Sequence, residues 1–206
     1  MGSARQQQGV SARNGLVDLL KFAGAAGILW FHLELPYSRI ALAALPMFVM
    51  MSVLYGGRKP LGDRAARLLL PWLCWSAVYA AGKIVQVLQG QASLAGEFRP
   101  WMLLGGTAWH LWYLPFIFLT MVVIRHVRNQ TLVWASAVAA FLLFNLAELP
   151  WPLAQWASVW PAVVVAVTGR CWLGVLVFAL ALASPLDSGA LQLLLATAIF
   201  AIARRV

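Results

Sequence analysis

Long apolar stretches, separated by short breaks that are polar or marked by glycine and proline, run along almost the whole chain. A helix of about 20 residues crosses a hydrocarbon core of roughly 30 Å, and several stretches approach that length. The pattern therefore predicts an all-α, polytopic transmembrane helix bundle of about eight spans, near residues 16–36, 40–57, 68–89, 101–124, 131–149, 155–168, 171–184 and 189–203. The last three are short, so region 155–184 is open to three interpretations: two thin helices, a re-entrant pair, or one broken helix that leaves seven spans.

The composition agrees with this pattern and excludes a water-solvated globular domain. Of the 206 residues, 63% are hydrophobic and 10% are charged, whereas soluble domains carry about a quarter charged residues. Cys74 and Cys171 stand alone in apolar segments, without the paired spacing of a zinc site or a disulfide framework. We therefore expect no metal.

The basic residues are distributed unevenly between the two predicted sides of the membrane. With the N-terminus in the cytosol, the cytosolic side carries Arg5, Arg13, Lys21, Arg58, Lys59, Arg64, Arg67, Arg125, Arg128, Arg170, Arg204 and Arg205. Only Arg39 and Arg99 fall outside, as the positive-inside rule requires. The net charge of +9 is thereby explained by insertion among membrane lipids, and no nucleic-acid partner is expected. We predict a basic cytosolic tail at 1–15 and one transmembrane domain at 16–206.

The first predicted span carries two ionisable residues, Lys21 and His32. Eleven helical residues put them within about 20° of one face and about 16 Å apart along it. Lys21 either extends its ammonium group to the cytosolic interface or contributes to a site. His32 either bonds a backbone carbonyl or transfers a proton, a role that histidine side chains commonly take near neutral pH.

A cluster of four basic residues follows the second span: Arg58, Lys59, Arg64 and Arg67. Arg64 and Arg67 are three residues apart, so they share a helix face. The cluster either fixes the topology and contacts anionic lipids, or binds phosphates, which guanidinium groups hold bidentately.

The third and fourth spans also contain polar side chains. Ser76, Tyr79, Lys83 and Gln86 recur at helical spacing and are expected to face a cavity or a partner helix. Lys83 either has a structural role, reaching the outer interface or pairing with Glu34, or contacts a substrate.

His110 lies in the fourth span among Trp109, Trp112 and Tyr113. It is either a hydrogen-bonded core residue or part of a substrate site. Tyr79, Lys83, Glu34 and Trp112 are the residues predicted to line a substrate cavity.

Three motifs resemble the acyltransferase 3 family of bacterial integral-membrane O-acyltransferases. They are the Asp18, Lys21 and His32 spacing, the Arg64-x-x-Arg67 pair followed by LLLPWLCWS, and the HLWYLP run from His110 to Pro115. The resemblance covers roughly residues 14–124. It implies a multi-pass protein of the bacterial inner membrane that transfers an acyl group, commonly acetyl, from cytosolic acyl-CoA to a hydroxyl of a carbohydrate or envelope glycolipid.

The resemblance also implies roles for individual residues. The family's essential first-helix basic residue and histidine correspond to Lys21 and His32, and its later histidine motif to His110, so these three are the catalytic candidates. The residues expected to hold the coenzyme phosphates are Arg64 and Arg67, with Arg58, Lys59 and Lys21. His32 is expected to deprotonate the acceptor or to carry the acyl group, two roles that stay open, and His110 to orient or protonate. Family members usually have about ten spans, so a short variant, a truncated chain and a degenerate one are all compatible with the eight predicted here. The rival hypotheses are a transporter or translocase component, whose ionisable residues line a permeation path, and an inactive scaffold.

Overall fold

The computed structural model describes residues 15–55, 60–127, 129–172, 174–176, 179 and 190–203, and every regular element in these ranges is helical. The all-α class is thereby confirmed. Most of the predicted tail, the predicted phosphate ligands Arg58 and Lys59, and most of the span predicted at 171–184 lie outside the described residues.

The helices follow one another with short connections. They are α1 (Gly15–His32), α2 (Ser38–Ala41), α3 (Ala44–Tyr55), α4 (Leu61–Leu88), α5 (Leu94–Glu97), α6 (Met102–Gly105), a 3-10 helix (Trp109–Trp112), α7 (Tyr113–His126), α8 (Gln130–Leu146), α9 (Leu153–Thr168) and α10 (Ala190–Ala203). The helices predicted at 131–149, 155–168 and 189–203 are confirmed as α8, α9 and α10 to within a few residues. The span predicted at 101–124 is wrong as one continuous helix, because it is divided into α6, the 3-10 helix and α7.

Two of the described helices, α1 and α4, are long and apolar enough to cross a membrane. Helix α4 has 28 residues, and none of them is buried although the helix is largely apolar. It begins after Pro60, and Asp63 lies in its first turn, where a carboxylate stabilises the positive end of the helix dipole. Arg64 and Arg67 therefore lie on a helix.

The buried core lies where α3, α9 and α10 pack together, with α7 and α8 contributing at its sides. Its largest fully buried side chains include Met50 and Met51 of α3 and Phe200 of α10. Valines 163–165 of α9 are at most 1% exposed, so this helix lies at the centre of the core. Burial of these side chains fixes α3, on which the site depends.

Helix α1 packs closely against α3 because two glycines face it. A Cβ atom on Gly24 would lie 2.6 Å from Met47 Cε, and one on Gly27 would lie 3.2 Å from Ala44 Cβ. Small residues allow helix backbones to approach in this way. Lys21 lies about one turn before Gly24 and therefore on the same face of α1. The close packing at the two glycines thus holds Lys21 beside α3.

The helical conformation is interrupted between α6 and the 3-10 helix at Gly106, which has φ 83° and ψ 174°. This region of backbone space is essentially restricted to glycine. A Cβ atom there would lie 2.8 Å from both Leu111 Cβ and Trp72 Nε1. Thr107 then donates a hydrogen bond to the carbonyl of Ser76 on α4 at 2.6 Å. The break thus positions the 3-10 helix, and His110 with it, against α4.

We expect Gly106→Ala to destabilise the fold by about 1–3 kcal/mol, the usual cost of a strained backbone position. Each kcal/mol corresponds to about 2–4 °C in Tm for a chain of this size. Thermal unfolding in detergent is the measurement. Gly82→Ala is the matched control, because a Cβ atom there meets nothing within 4 Å and the residue is inside helix α4. A Gly106→Ala variant as stable as Gly82→Ala would contradict the assigned geometry.

Candidate functional site

A cavity of about 420 Å³ lies between the C-terminal end of α1, α3 and the 3-10 helix; we call it the histidine cavity. Its polar lining residues are His32, His110, Tyr113 and Gln155. Its aromatic and aliphatic lining residues are Phe31, Phe48, Trp109, Trp112, Trp151, Ile28, Leu42 and Leu45. An apolar cavity with a few convergent polar groups is the usual form of a small-molecule site.

The two histidines reach this cavity from different elements. His32 is the last residue of α1, and His110 lies in the 3-10 helix. The His110 ring contacts the ring of Tyr79 on α4 edge to face, with 5.3 Å between centroids. This contact holds the His110 side chain against α4. Both histidines are exposed, so their ring nitrogens are accessible to a substrate that enters the cavity. Neutral imidazole accepts a proton, and imidazolium donates one.

Aromatic rings form much of the cavity wall. The Trp109 and Trp151 rings lie 4.9 Å apart, and Trp112 contacts the Tyr113 ring at 6.0 Å. Trp112 is buried and Trp109 is exposed, so the wall extends from the core to the surface. The faces of aromatic rings pack against apolar and ring-shaped groups of a ligand.

A second cavity of about 300 Å³ contains three cationic side chains; we call it the basic cavity. Lys21 enters it from α1, while Arg64 and Arg67 enter it from the first turns of α4. No carboxylate is among the described residues that line it. Two guanidinium groups beside an ammonium group suit a phosphate-bearing ligand, since guanidinium binds phosphate bidentately.

The two cavities meet at Ser52 and Tyr113. Tyr113 lines the histidine cavity and Ser52 lines the basic cavity. Their hydroxyl oxygens are 3.2 Å apart and share a hydrogen bond. Lys21 and His32 lie on one face of α1, one in each cavity, so the two cavities lie along the same side of this helix.

The polar stripe of α4 faces the segment that follows this helix. Tyr79 contacts His110, as described, and Lys83 Nζ forms an ion pair with Glu97 Oε2 at 2.7 Å. Lys83 also donates to the carbonyl of Glu97 at 3.2 Å. The suggested pairing of Lys83 with Glu34 is therefore wrong, because α5 brings a nearer carboxylate to it. Glu34, Lys83 and Tyr79 do not line the histidine cavity, whereas Trp112 does.

The structure brings together His32, His110 and Trp112 in one cavity and Lys21, Arg64 and Arg67 in the other. Sequence reasoning missed Trp151 and Gln155, which line the histidine cavity; Trp151 lies just before α9 and Gln155 lies in its first turn. Gln155 could have been noticed as a polar residue in an apolar span. Within the described residues there is no group of three or more His, Cys, Asp or Glu side chains suited to a metal ion.

No family model, curated protein sequence or solved structure matches this chain.

Proposed function

We propose that this chain is a multi-pass membrane O-acyltransferase of about eight spans with a cytosolic N-terminus. It moves an acyl group, acetyl in the simplest case, from cytosolic acyl-CoA to a hydroxyl of a carbohydrate or envelope glycolipid. The observation that carries the proposal is the pair of adjoining cavities, one cationic and one containing two histidines. An acyl-CoA has the matching form, with phosphates at one end and a thioester at the other.

The location in a membrane is supported by where the apolar surface lies. On α4, Leu70 and Val78 are each 59% exposed and Leu88 is 80% exposed. Exposing apolar area to water costs about 25 cal/mol per Å². A core helix of a soluble protein would be buried, whereas none of the residues of α4 is. Lipid chains are the surroundings in which such a helix is stable, since most of the backbone groups between its ends bond within the helix.

The short helices are compatible with several spans. The 3-10 helix and α7 run on from Trp109 to His126, and α2 is followed closely by α3. Short apolar segments are accommodated by local thinning of the bilayer and by flanking residues that reach the interface. The orientation follows from the basic residues, most of which lie on the proposed cytosolic side together with the basic cavity.

In the proposed reaction, the coenzyme phosphates bind Lys21, Arg64 and Arg67, and the thioester lies in the histidine cavity. His32 accepts the proton of the acceptor hydroxyl, whose oxygen forms a bond to the thioester carbonyl carbon. The carbon–sulfur bond breaks, and the departing thiolate takes up a proton, so that the products are an ester and the coenzyme thiol. His110 orients the acceptor. General-base catalysis of this kind contributes about 10²–10⁴-fold.

The proposal is tested with radiolabelled acetyl-CoA and membrane vesicles of both orientations from a bacterial expression host. Acetyl-CoA carries several charges and does not cross the membrane. We expect inside-out vesicles to transfer label to host glycolipid, as an ester released by mild alkali. Right-side-out vesicles should transfer none until detergent opens them.

The outcomes separate the rival functions. A transporter gives no covalent labelling in either orientation, and an inactive scaffold gives donor binding without an ester product. Transfer from right-side-out vesicles would contradict the proposed orientation.

A further inference from the structure

One hydrogen-bonded pair of side chains separates the two cavities. The Ser52 hydroxyl comes from α3 and the Tyr113 hydroxyl from the start of α7, and the two oxygens are 3.2 Å apart. Neither residue is assigned a role in the proposed reaction. Both residues have intermediate solvent exposure.

The cavities follow each other along three helices. On α3, Phe48 lines the histidine cavity and Ser52, one turn further, lines the basic cavity. On α7, Tyr113 lines the histidine cavity, and Ile117, again one turn further, lines the basic cavity. Helix α1 contributes to both as well, through His32 and Lys21. One helical turn is about 5.4 Å, so a distance of this order separates the walls of the two cavities at the pair.

We propose that the Ser52–Tyr113 pair is the constriction of a passage between the two cavities, through which the acyl-bearing arm of the donor passes. This inference rests on the proposed function. A thioester arm is uncharged, and its amide groups can replace the mutual hydrogen bond of the two hydroxyls with bonds of their own. The phosphates stay behind, because Met51 and Ile117 beside the constriction are apolar and offer no compensation for a desolvated charge.

The size of residue 52 then determines whether the arm can pass. Leucine at this position fills the constriction while leaving Lys21, Arg64 and Arg67 unchanged. We expect Ser52→Leu to weaken binding of acetyl-CoA by about ten- to a hundredfold, the usual effect of one misfitting group in a close-fitting site. Binding of adenosine 3′,5′-bisphosphate, a coenzyme fragment without the arm, should stay close to wild type, because the three cationic side chains proposed to hold the phosphates, Lys21, Arg64 and Arg67, are unchanged.

Two further variants separate the obstruction from other effects. Tyr113→Phe keeps the ring but removes the hydrogen bond, and we expect it to bind acetyl-CoA at least as tightly as the wild type. Val53→Leu is the matched control, because Val53 is the next residue of α3, packs against the core and lines neither cavity. It should bind both ligands as the wild type does.

The position of the acyl group is a second readout. A diazirine-bearing acyl-CoA should crosslink to residues 109–113 in the wild type, and mass spectrometry assigns the site. In Ser52→Leu the crosslinks should move to residues of the basic cavity. Where Ser52→Leu does not fold, Ser52→Cys with Cys74→Ala and Cys171→Ala is purified first and then alkylated with N-ethylmaleimide, with the same loss expected only after alkylation.

Wild-type protein that binds neither ligand overturns the proposed function itself. Wild-type binding of both ligands, with equal acetyl-CoA affinity and unchanged crosslinks in Ser52→Leu or the alkylated protein, overturns the passage and leaves the proposed function standing. If Ser52→Leu loses as much affinity for the bisphosphate as for acetyl-CoA, the passage is also overturned, because the variant then acts on the basic cavity and not on the movement of the arm.

Discussion

Replacement of His32 by glutamine is expected to lower acyl transfer by about 10²–10⁴-fold while the protein still inserts and folds. Glutamine can replace a neutral imidazole as a hydrogen-bonding side chain, but it cannot accept a proton near neutral pH. His32 ends α1, lines the histidine cavity and is exposed to an entering acceptor. A purely structural role for His32 therefore predicts substantial activity in His32→Gln, and the proposed role predicts almost none.

The chain offers a matched control, because its third histidine lies elsewhere. His126 lines neither cavity, and its Nδ1 lies 2.7 Å from the carbonyl oxygen of Val122 in its own helix. His126→Gln should transfer at the wild-type rate. The measurement is label transfer in proteoliposomes, normalised to folded protein by size-exclusion chromatography. A His32→Gln variant that retains more than about a tenth of wild-type turnover loses less than general-base catalysis supplies, and the assignment then fails in favour of His110.

The His32→Gln variant alone does not decide whether His32 is a base or an acyl carrier. Both roles predict loss of transfer in His32→Gln. Only the carrier predicts that wild-type protein incubated with labelled acetyl-CoA, without acceptor, retains the label covalently on residue 32. Acid-quenched protein analysed by mass spectrometry distinguishes the two.

Hydropathy predicted the described helices α8, α9 and α10 well, because each is a mainly apolar stretch. The helix at Gln130–Leu146 starts one residue before the predicted 131. The same reasoning failed at 101–124, where averaging over a window hides a local backbone requirement. Gly106 was visible in the sequence, but its positive φ depends on the close approach of Trp72 and Leu111, which is a tertiary property.

The site was predictable only where its residues lie on a common helix face. Helical spacing placed Lys21 and His32 on one side of α1 and put Arg64 beside Arg67. Helical spacing does not say which helices face one another, so it could not by itself place Lys21 in one cavity with the two arginines; only the family resemblance grouped these three residues. The contribution of Gln155 was missed for the same reason.

The partner of Lys83 illustrates a further limit. Glu34 lies near the outer end of the span predicted at 16–36, and Glu97 lies between the spans predicted at 68–89 and 101–124, so charge alone does not choose between them as the partner of Lys83. The turn of α5 after α4 brings Glu97 to 2.7 Å from Lys83. Ser93 caps that turn by accepting a hydrogen bond from the Gly96 amide at 3.1 Å. The pairing thus depends on a short local helix that hydropathy does not predict.

Removal of both arginines of the basic cavity, Arg64→Ala with Arg67→Ala, is expected to raise the KM for acetyl-CoA by about tenfold or more at low salt. A hydrogen bond to a charged group contributes about 1.5–3 kcal/mol, and about 1.4 kcal/mol corresponds to a factor of ten. The lower end of this energy range applies to Arg67, because its side chain is exposed and its charge is more strongly screened than that of half-buried Arg64. Substitution of both by lysine should restore the affinity only in part, since an ammonium group lacks the bidentate geometry of guanidinium.

The salt dependence and a charge-matched control make this prediction specific. Arg125→Ala with Arg170→Ala removes the same charge from the proposed cytosolic side, but neither residue lines the basic cavity, so this variant should keep the wild-type KM. The difference between the Arg64/Arg67 variant and the wild type should shrink as salt rises, because screening weakens the wild-type interaction. Transfer rates measured over a range of acetyl-CoA concentrations at two ionic strengths give both values. An unchanged KM in Arg64→Ala with Arg67→Ala, or an equal rise in the control, would reduce the two arginines to topogenic charges, since only a specific phosphate contact distinguishes them from other cytosolic arginines.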